Sequence, residues 1–268
     1  MKRMRSLALV AAVLWAATTA TAEDFKMSVT TSFANSGLAE VLLPVILADT
    51  GLNVQLLVVG TGQALKLGEA GDVDAVLVHA RAAEERWLAD GNGTHRREIM
   101  YNDFILVGPS DDPAGIRAAT TAAQAMQNIA AALTPFVSRG DDSGTHKAEL
   151  ALWNMAAVAP AGDWYRSVGQ GMGAALNTAA GMNAYILSDR ASWLNFGNKA
   201  DLALLFAGDP AIFNQYAYLP VNPEKHPHVK AAAAVRLEAW LTSDTAKALI
   251  NGYRLAGEQL FVFNAQPM

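Results

Sequence analysis

The stretch NVQLLVVGTGQALKLGEAGDVDAVLV, residues 53–78, indicates the fold class of this chain. Asn53–Val59 is a continuous apolar run of the kind found in strands that are buried on both faces. Gly60-Thr61-Gly62-Gln63 turns the chain into a short helix at Ala64–Leu67, and a further strand follows at Asp74–Val78. Strands that alternate with helices in this way predict an α/β protein with a parallel sheet.

The segment before this stretch repeats the pattern. Apolar and polar residues alternate over residues 25–29, which predicts a strand. TTSFANSG, Thr30–Gly37, follows as a polar loop. Asn35 or Ser36 is placed to cap a helix that begins at Leu38.

The second half of the chain carries a similar set of elements. Strands are predicted at residues 104–107, 184–187 and 202–206, and helices at residues 229–241 and after Ser243. Because each half has its own strand-loop-helix junctions, we predict two α/β lobes with a ligand cleft between them. The predicted boundaries are residues 23–107 with 216–268 for lobe I, and residues 108–215 for lobe II.

The first residues have the layout of a secretory signal peptide. A basic start, MKRMR, precedes the apolar run Leu7–Ala17, and Ala20-Thr21-Ala22 is a small-residue cleavage site. The apolar run is shorter than the roughly 20 residues that a membrane-spanning helix needs. We therefore expect residues 1–22 to be removed on export, which would leave the mature chain in the periplasm.

Charge and cysteine content exclude several classes of protein. Loss of the leader, which has three basic residues and no acidic ones, changes the formal charge from −5 to −8. An acidic protein has no long-range field that would collect nucleic acid or anionic lipid. The chain has no cysteine, so it has no disulfide framework, thiol chemistry or lipoprotein anchor. Any anion that it binds must be held locally, by dipoles aimed into a pocket.

Three polar loops stand where a strand or extended segment ends and a helix begins. They are Thr30–Gly37, Gly60–Gln63 and Ser138–His146. Glycine allows close approach of the backbone to a ligand, and Ser and Thr add neutral donors. The first amides of a helix lack internal partners and lie at the positive end of its dipole. Each loop alone is explained by capping and turn formation, but together with Arg139 the three predict a cage for an oxyanion.

Other chemistries fit these loops less well. Gly-Asp-Asp-Ser-Gly around Ser143 resembles the nucleophile turn of trypsin-like proteases, but it has an extra Asp and does not form G-x-S-x-G. Gly60-Thr61-Gly62 lacks the third glycine of a dinucleotide loop and the Lys-Ser/Thr of a P-loop. His226-Pro-His228 has no carboxylate cluster nearby, so we expect no metal cation and no cofactor. An exported serine hydrolase that uses Ser143 stays open as an alternative.

Two carboxylates and two histidines near the loops are interpreted as structural. Asp142 is predicted to cap the helix that follows it, and Asp141 to hold Arg139 in place through a hydrogen bond. His79 and His146 are interpreted as structural rather than catalytic. A carboxylate that pointed into the pocket would instead favour a protonated anion such as hydrogen phosphate.

Four long stretches resemble the tungstate-binding periplasmic proteins of ABC transporters. They are VGTGQALKLGEAGDVDAVLVHA (59–80), MYNDFILVGPSDDPAGI (100–116), FVSRGDDSGTHKAELALW (136–153) and YRSVGQGMGAALNTA (165–179). The resemblance extends through Asp189-Arg190 and Asn214–His226, so it covers almost the whole mature chain. It implies the two-lobe (type II) periplasmic-binding-protein fold, which closes over its ligand. It also implies a monomeric binding protein, not an enzyme, that passes tungstate, with molybdate as a competitor, to a membrane permease and ATPase.

Positions of this chain that match the family motif are implied to contact the ligand. The resemblance implies contacts from Thr30, Ser32, Thr61, Arg139 and Thr145, with Ser143 and the Gly144 amide as additions. The first loop reads Val29-Thr30-Thr31-Ser32-Phe33 where the family has three threonines, a serine and a threonine. Phe33 thus replaces a small polar residue, which predicts a change in pocket size or hydration and in discrimination between tungstate and molybdate. Molybdate, phosphate or sulfate is the alternative ligand for the same fold.

Overall fold

The structure, a computed structural model, describes residues 22–266, so the predicted signal peptide lies outside the described residues except for Ala22. The first elements are β1 (Glu23–Thr30), α1 (Thr31–Asn35), α2 (Leu38–Thr50), β2 (Leu52–Val59), α3 (Thr61–Ala70), β3 (Ala75–Val78), α4 (Arg81–Ala89) and β4 (Arg97–Pro109). Among the described residues no helix is long and apolar enough to span a bilayer.

The second half of the chain continues the alternation of strands and helices. It contains α5 (Ala122–Ala132), β5 (Phe136–Ser138), α6 (Gly144–Met155), β6 (Tyr165–Ser167), α7 (Met172–Met182), β7 (Tyr185–Asp189), α8 (Arg190–Asn195) and β8 (Leu202–Phe206). The chain then returns through β9 (Phe213–Pro220), α9 (Ala231–Leu241), α10 (Asp244–Gly252), β10 (Arg254–Leu255), β11 (Glu258–Gln259) and β12 (Val262–Phe263). The strands and terminal helices expected from the sequence are therefore confirmed, with β4 and α3 longer than predicted.

The main sheet is mixed rather than parallel. Its order is β2-β1-β3-β9-β4-β7-β5-β6. β1 runs parallel to β2 and β3, and β5 runs parallel to β6 and β7. β9 runs antiparallel to β3 and β4, and β4 runs antiparallel to β7. The prediction of a parallel sheet thus holds at the two ends and is wrong at the centre, where two long strands cross between the halves.

The halves pack around separate apolar cores. The first core joins β1, α2 and α9, and the second joins β5, α5 and α6. β4 contributes to both, with Ile99 and Met100 in the first core and Phe104 and Leu106 in the second. The molecule therefore has two lobes, and β4 passes from one to the other.

Two local predictions are corrected by the packing. β2 is an edge strand with alternating burial, and Val58 is 45% exposed, so it is not buried on both faces. Thr30–Gly37 is not a loop, because Thr30 caps α1. Gly37, with a φ of 81°, directly precedes α2, and Ser36 Oγ accepts the Leu38 N–H at 3.3 Å, so the predicted role of Ser36 at this helix start is confirmed. A Cβ at Gly37 would lie 2.5 Å from the Tyr253 hydroxyl oxygen, which requires glycine there.

Candidate functional site

The first two predicted loops meet at one edge of the sheet. Thr30 at the end of β1 pairs with Val59 at the end of β2, so α1 and α3 begin side by side. Ser28 Oγ donates a hydrogen bond to the Ala64 carbonyl oxygen at 3.0 Å, which fixes α3 against β1. Thr61 is the first residue of α3. The carboxyl ends of neighbouring parallel strands thus place Thr30 and Thr61 at the same edge, as the sequence predicts.

Ser32 is the centre of a hydrogen-bond network that joins three distant segments. Its Oγ lies 3.0 Å from Thr30 Oγ1, 3.1 Å from His79 Nε2 and 3.2 Å from the Tyr216 hydroxyl oxygen. The rings of His79 and Tyr216 are in contact, with centroids 4.8 Å apart. His79 follows β3 and Tyr216 lies in β9. Sequence reasoning missed both of these residues as members of the site.

Both rings of this network are uncharged near neutral pH. Burial lowers the pKa of His79 from 6.5 to about 4, although hydrogen bonds with backbone and with the Asn214 side chain oppose the shift. Burial also raises the pKa of Tyr216 to about 12. Asn214 Nδ2 donates to Asn102 Oδ1 at 2.8 Å, which extends the buried polar network to β4. This side of the site therefore offers neutral hydrogen-bonding groups and no formal charge.

Arg139 supplies the positive charge of the site from the turn after β5. Its Nη2 donates to Asp141 Oδ2 at 2.5 Å, and its Nη1 donates to Thr145 Oγ1 at 3.4 Å. The Gln170 amide donates to the Arg139 carbonyl oxygen at 3.2 Å. Gly140 has a φ of 60°, and a Cβ there would collide with Ser167 Oγ. The turn is thus held on both sides, and the predicted bond between Asp141 and Arg139 is confirmed.

Asp141 remains ionised beside the arginine. Desolvation acts to raise its pKa, but hydrogen bonds from Ser143 and Arg139 outweigh that effect and hold the pKa below its usual value. The Ser143 amide donates to Asp141 Oδ1 at 3.2 Å. One carboxylate therefore offsets the guanidinium charge and at the same time orders the turn that leads into α6.

The predicted helix cap at Asp142 is wrong. Ser143 is the cap, since its Oγ accepts the His146 backbone N–H at 3.2 Å. Asp142 has a left-handed φ of 58°, and its exposed carboxylate pairs with Lys147 Nζ at 3.1 Å instead of capping the helix. His146 Nδ1 accepts the Asp142 backbone N–H at 3.1 Å. A serine hydrolase would require a hydrogen bond between Ser143 Oγ and a histidine ring. No such bond is present among the described residues.

A cavity of about 420 Å³ lies between α1 of the first half and the Arg139 turn, α7 and α8 of the second half. Of the predicted site residues, Ser32 and Arg139 line it. Further residues of its wall are Thr31, Asn35, Gly171, Met172, Gly173, Leu176, Asp189, Ala191, Ser192, Asn195 and Phe196. Thr30 and Thr145 are buried behind the wall and bonded to Ser32 and Arg139. Thr61, Ser143 and Gly144 do not line this cavity.

Sequence reasoning did not name the residues of the far wall of the cavity as site residues. Gly171 caps α7, and Asp189 ends β7 and caps α8 by accepting the Ser192 N–H at 2.9 Å. Both lie in stretches on which the family resemblance rests, and the glycine-rich GQGMG was the available signal. Asp189 is only 5% exposed and lines the same cavity as Arg139, so this wall contains a buried acidic residue.

Phe33 does not shape this cavity. Its ring is 3% exposed and packs in the first core, with its centroid 6.1 Å from that of Tyr216. Successive residues of a helical turn point about 100° apart, so α1 directs Ser32 to the cavity and Phe33 to the core. The prediction that Phe33 alters the size or hydration of the pocket is therefore wrong.

The two histidines after β9 bind backbone rather than side chains. His226 Nε2 lies 2.9 Å from the Glu69 carbonyl oxygen, and His228 Nε2 lies 2.8 Å from that of Gly71. Both contacts tie this segment to the end of α3. Within residues 22–266, no three His, Asp or Glu side chains gather in a group that could hold a metal ion.

Comparison with known proteins identifies the family. Residues 16–245 match the PBP superfamily domain. The chain is 44% identical over 245 residues to the tungstate-binding protein TupA of Peptoclostridium acidaminophilum, which covers 89% of this chain and 85% of that protein. It is similar to the solved tungstate-binding protein TupA from Desulfovibrio alaskensis G20, with 41% identity, a TM-score of 0.86, and coverage of 91% of this chain and 100% of that one. It is also similar to the tungstate ABC transporter structure from Geobacter sulfurreducens, with 50% identity and a TM-score of 0.78. That match covers 86% of this chain and 99% of the other. The chain therefore belongs to the PBP superfamily and, within it, to the family of the TupA tungstate-binding proteins.

Proposed function

We propose that this protein captures tungstate in the cleft between its lobes and delivers it to the membrane permease of an ABC transporter. The observation that carries the proposal is the guanidinium of Arg139. Its Nε is buried and has no acceptor among the described residues, and the side chain lines the same cavity as Ser32. A buried donor without an acceptor costs about 1–3 kcal/mol, so an oxyanion oxygen at Nε would remove that penalty.

The remaining groups suit an anion that only accepts hydrogen bonds. Ser32 and its partners are neutral hydroxyl and ring groups, and α7 begins at the cavity wall. Tungstate carries two charges and no proton at neutral pH, so hydroxyl, amide and guanidinium donors match all of its oxygens. Each hydrogen bond to a charged group contributes about 1.5–3 kcal/mol. A handful in a desolvated cleft supports nanomolar affinity, about −12 kcal/mol.

The proposed ligand contacts divide into two groups by their position. Ser32 and Arg139 contact the anion directly, because both line the cavity. Thr30 and Thr145 lie directly behind them. Thr61, Ser143 and the Gly144 amide stay proposed contacts that a closed cleft would bring to the anion, and support for them comes from their places at the starts of α3 and α6.

The lobe boundaries are part of the proposal. Residues 23–107 with 216–268 form lobe I, and residues 108–215 form lobe II. The separate cores support this division, and the core changes within β4 between Met100 and Phe104, a few residues before the predicted boundary. β4 and β9 would act as the hinge on which the lobes close, with the anion completing the contacts of both sides.

We further propose that the protein is an exported, monomeric periplasmic protein without enzymatic activity. The leader layout of residues 1–22 supports export. The use of Ser143 Oγ as a helix cap supports binding over hydrolysis.

Asp189 favours a second candidate ligand, hydrogen phosphate. Asp189 is buried and lines the cavity, where its carboxylate would accept a hydrogen bond from a protonated anion and repel an unprotonated one. Calorimetric titration of the mature chain with tungstate, molybdate, sulfate and phosphate decides between the candidates. We expect tight one-to-one tungstate binding that neither sulfate nor phosphate displaces. Displacement by phosphate at equal concentration would transfer the proposal to phosphate, and the failure of all four anions would refute it.

A further inference from the structure

The ring of His79 occupies the space next to Gly144 that a side chain would need. A Cβ at Gly144 would lie 2.8 Å from His79 Cε1 and 3.5 Å from Nδ1. Non-bonded carbon atoms attract best at about 3.5–4.0 Å, so 2.8 Å is a collision. Gly144 is the first residue of α6 and has no left-handed φ. The backbone therefore does not require glycine there, and alanine is the better helix former.

The ring cannot move aside at low cost. Its Nε2 is hydrogen-bonded to Ser32 Oγ at 3.1 Å, and the ring contacts the fully buried Tyr216 ring at a tilt of 50°. It follows directly on β3, whose four residues are all buried. A methyl group at Gly144 would accordingly displace α6 rather than His79.

The contact joins two parts of the molecule that pack separately. β3 contributes Ala75 and Leu77 to the first core, whereas α6 contributes Leu152 and Trp153 to the second. Gly144 precedes Thr145, whose Oγ1 accepts from Arg139. The separation between His79 and α6 therefore sets how near Arg139 and its turn come to Ser32.

We propose that His79 is a positioning residue and that Gly144 is glycine in order to accept it, so that the two form the cross-cleft contact that sets closure over the anion. The inference rests on the proposed function, because the closed cleft is the state that holds tungstate. Neither residue needs to touch the anion for this role, which distinguishes it from an amide contact at Gly144.

Calorimetry on Gly144→Ala gives the first test. We expect tungstate affinity to fall at least tenfold, while the free energy of unfolding of the ligand-free protein is unchanged or higher. Gly181→Ala is the matched control, because Gly181 is an α7 position with open space around it and lies outside the cavity wall. We expect less than a twofold change for the control. Wild-type affinity in Gly144→Ala would overturn the inference.

A double-mutant cycle with His79→Ala separates the two roles of the glycine. If the ring is what excludes a side chain, Gly144→Ala lowers affinity less than twofold in the His79→Ala background. If the glycine serves the anion directly, the loss is the same in both backgrounds, and the inference is wrong. Because both arms compare variants with their own parent, the loss of the Ser32 contact in His79→Ala cancels.

A ligand-independent arm distinguishes this inference from the proposed function. The chain has no cysteine, so the pair His79→Cys with Gly144→Cys introduces the only two thiols. A short bifunctional thiol reagent should join them within one chain, faster when tungstate is present, and the single-cysteine variants are the controls. If wild type does not bind tungstate, the proposed function fails, whereas cross-linking still supports the contact. If the pair does not cross-link with or without tungstate, the contact is refuted.

Discussion

Replacement of Arg139 by alanine is the sharpest perturbation of the proposed site. The guanidinium holds three functions at once, since Nη2 binds Asp141, Nη1 binds Thr145 and the buried Nε has no acceptor among the described residues. Its removal takes away the positive charge that lines the cavity. It also leaves the Asp141 carboxylate, 2.5 Å from the guanidinium in the native turn, without its partner beside the anion.

The expected loss follows from the number of bonds removed. Two charge-assisted hydrogen bonds to the anion, at about 1.5–3 kcal/mol each, amount to about 3–6 kcal/mol. At 1.4 kcal/mol per tenfold change in affinity, this corresponds to a loss of roughly 10²- to 10⁴-fold. Repulsion between the unpaired Asp141 carboxylate and the anion should bring the loss in Arg139→Ala toward the upper end of this range. Arg139→Lys keeps the charge without the planar fork, so it should recover only part of the affinity.

Calorimetric titration with tungstate measures the loss directly. Thr61→Ala is the comparison, because Thr61 is a proposed contact that offers the anion one neutral hydroxyl, and its loss should cost far less than the loss of a guanidinium. In the double variant Arg139→Ala with Asp141→Asn, part of the lost affinity should return, because the unpaired charge is gone. Equal affinity of Arg139→Ala and wild type would refute the site. Equal affinity of the single and double variants would refute the role given to Asp141.

Three further predictions follow from the surroundings of the cavity. His79 stays neutral in the folded protein down to its pKa of about 4 but protonates below 6.5 when unfolded, so stability falls as pH drops between these values. The loss is about 3 kcal/mol, and urea titrations across this range should show it in wild type and not in His79→Gln. Phe33→Thr should leave the ratio of tungstate to molybdate affinity unchanged and destabilise the fold by about 3 kcal/mol, because the Phe33 ring lies in the core. Competition calorimetry measures the ratio and denaturant titration measures the stability. A changed ratio would place Phe33 at the ligand. Asp189→Asn should tighten tungstate binding and weaken any phosphate binding, because it removes a negative charge from the cavity wall. Weaker tungstate binding in calorimetry would show that the carboxylate serves mainly to hold α8.

The charge balance of the site explains how an acidic protein binds an anion. The guanidinium of Arg139 pairs with Asp141 in its own turn, and a second acidic residue, Asp189, lines the same cavity. The chain as a whole is also negative. Attraction from afar is therefore absent, and affinity must come from short-range donors such as Ser32 and the amides at helix starts. Added salt screens the long-range repulsion between the acidic chain and a dianion, so it should raise the rate of capture rather than lower it.

The sequence determined those parts of the protein that depend on neighbours along the chain. Alternating and continuous apolar runs identified the strands, because side-chain direction in a strand repeats every two residues. The ion pair in the turn after β5 could also be predicted from the sequence. Arg139 and Asp141 are two residues apart, so their ion pair needs no information about the rest of the fold. The same holds for the three strand-to-helix junctions, whose Gly, Ser and Thr content reflects local backbone and capping requirements.

Only the tertiary structure decided what lies across the cleft and which strands are neighbours. Ser32 meets His79 and Tyr216, which are 47 and 184 residues away along the chain. The edge position of β2 and the antiparallel centre of the sheet follow from the order of the strands. The composition of a single strand says almost nothing about that order. Gly144 is the clearest case. Its own segment makes it an ordinary first helical residue, and the reason for its missing side chain is the ring of His79 on the opposite side of the cleft.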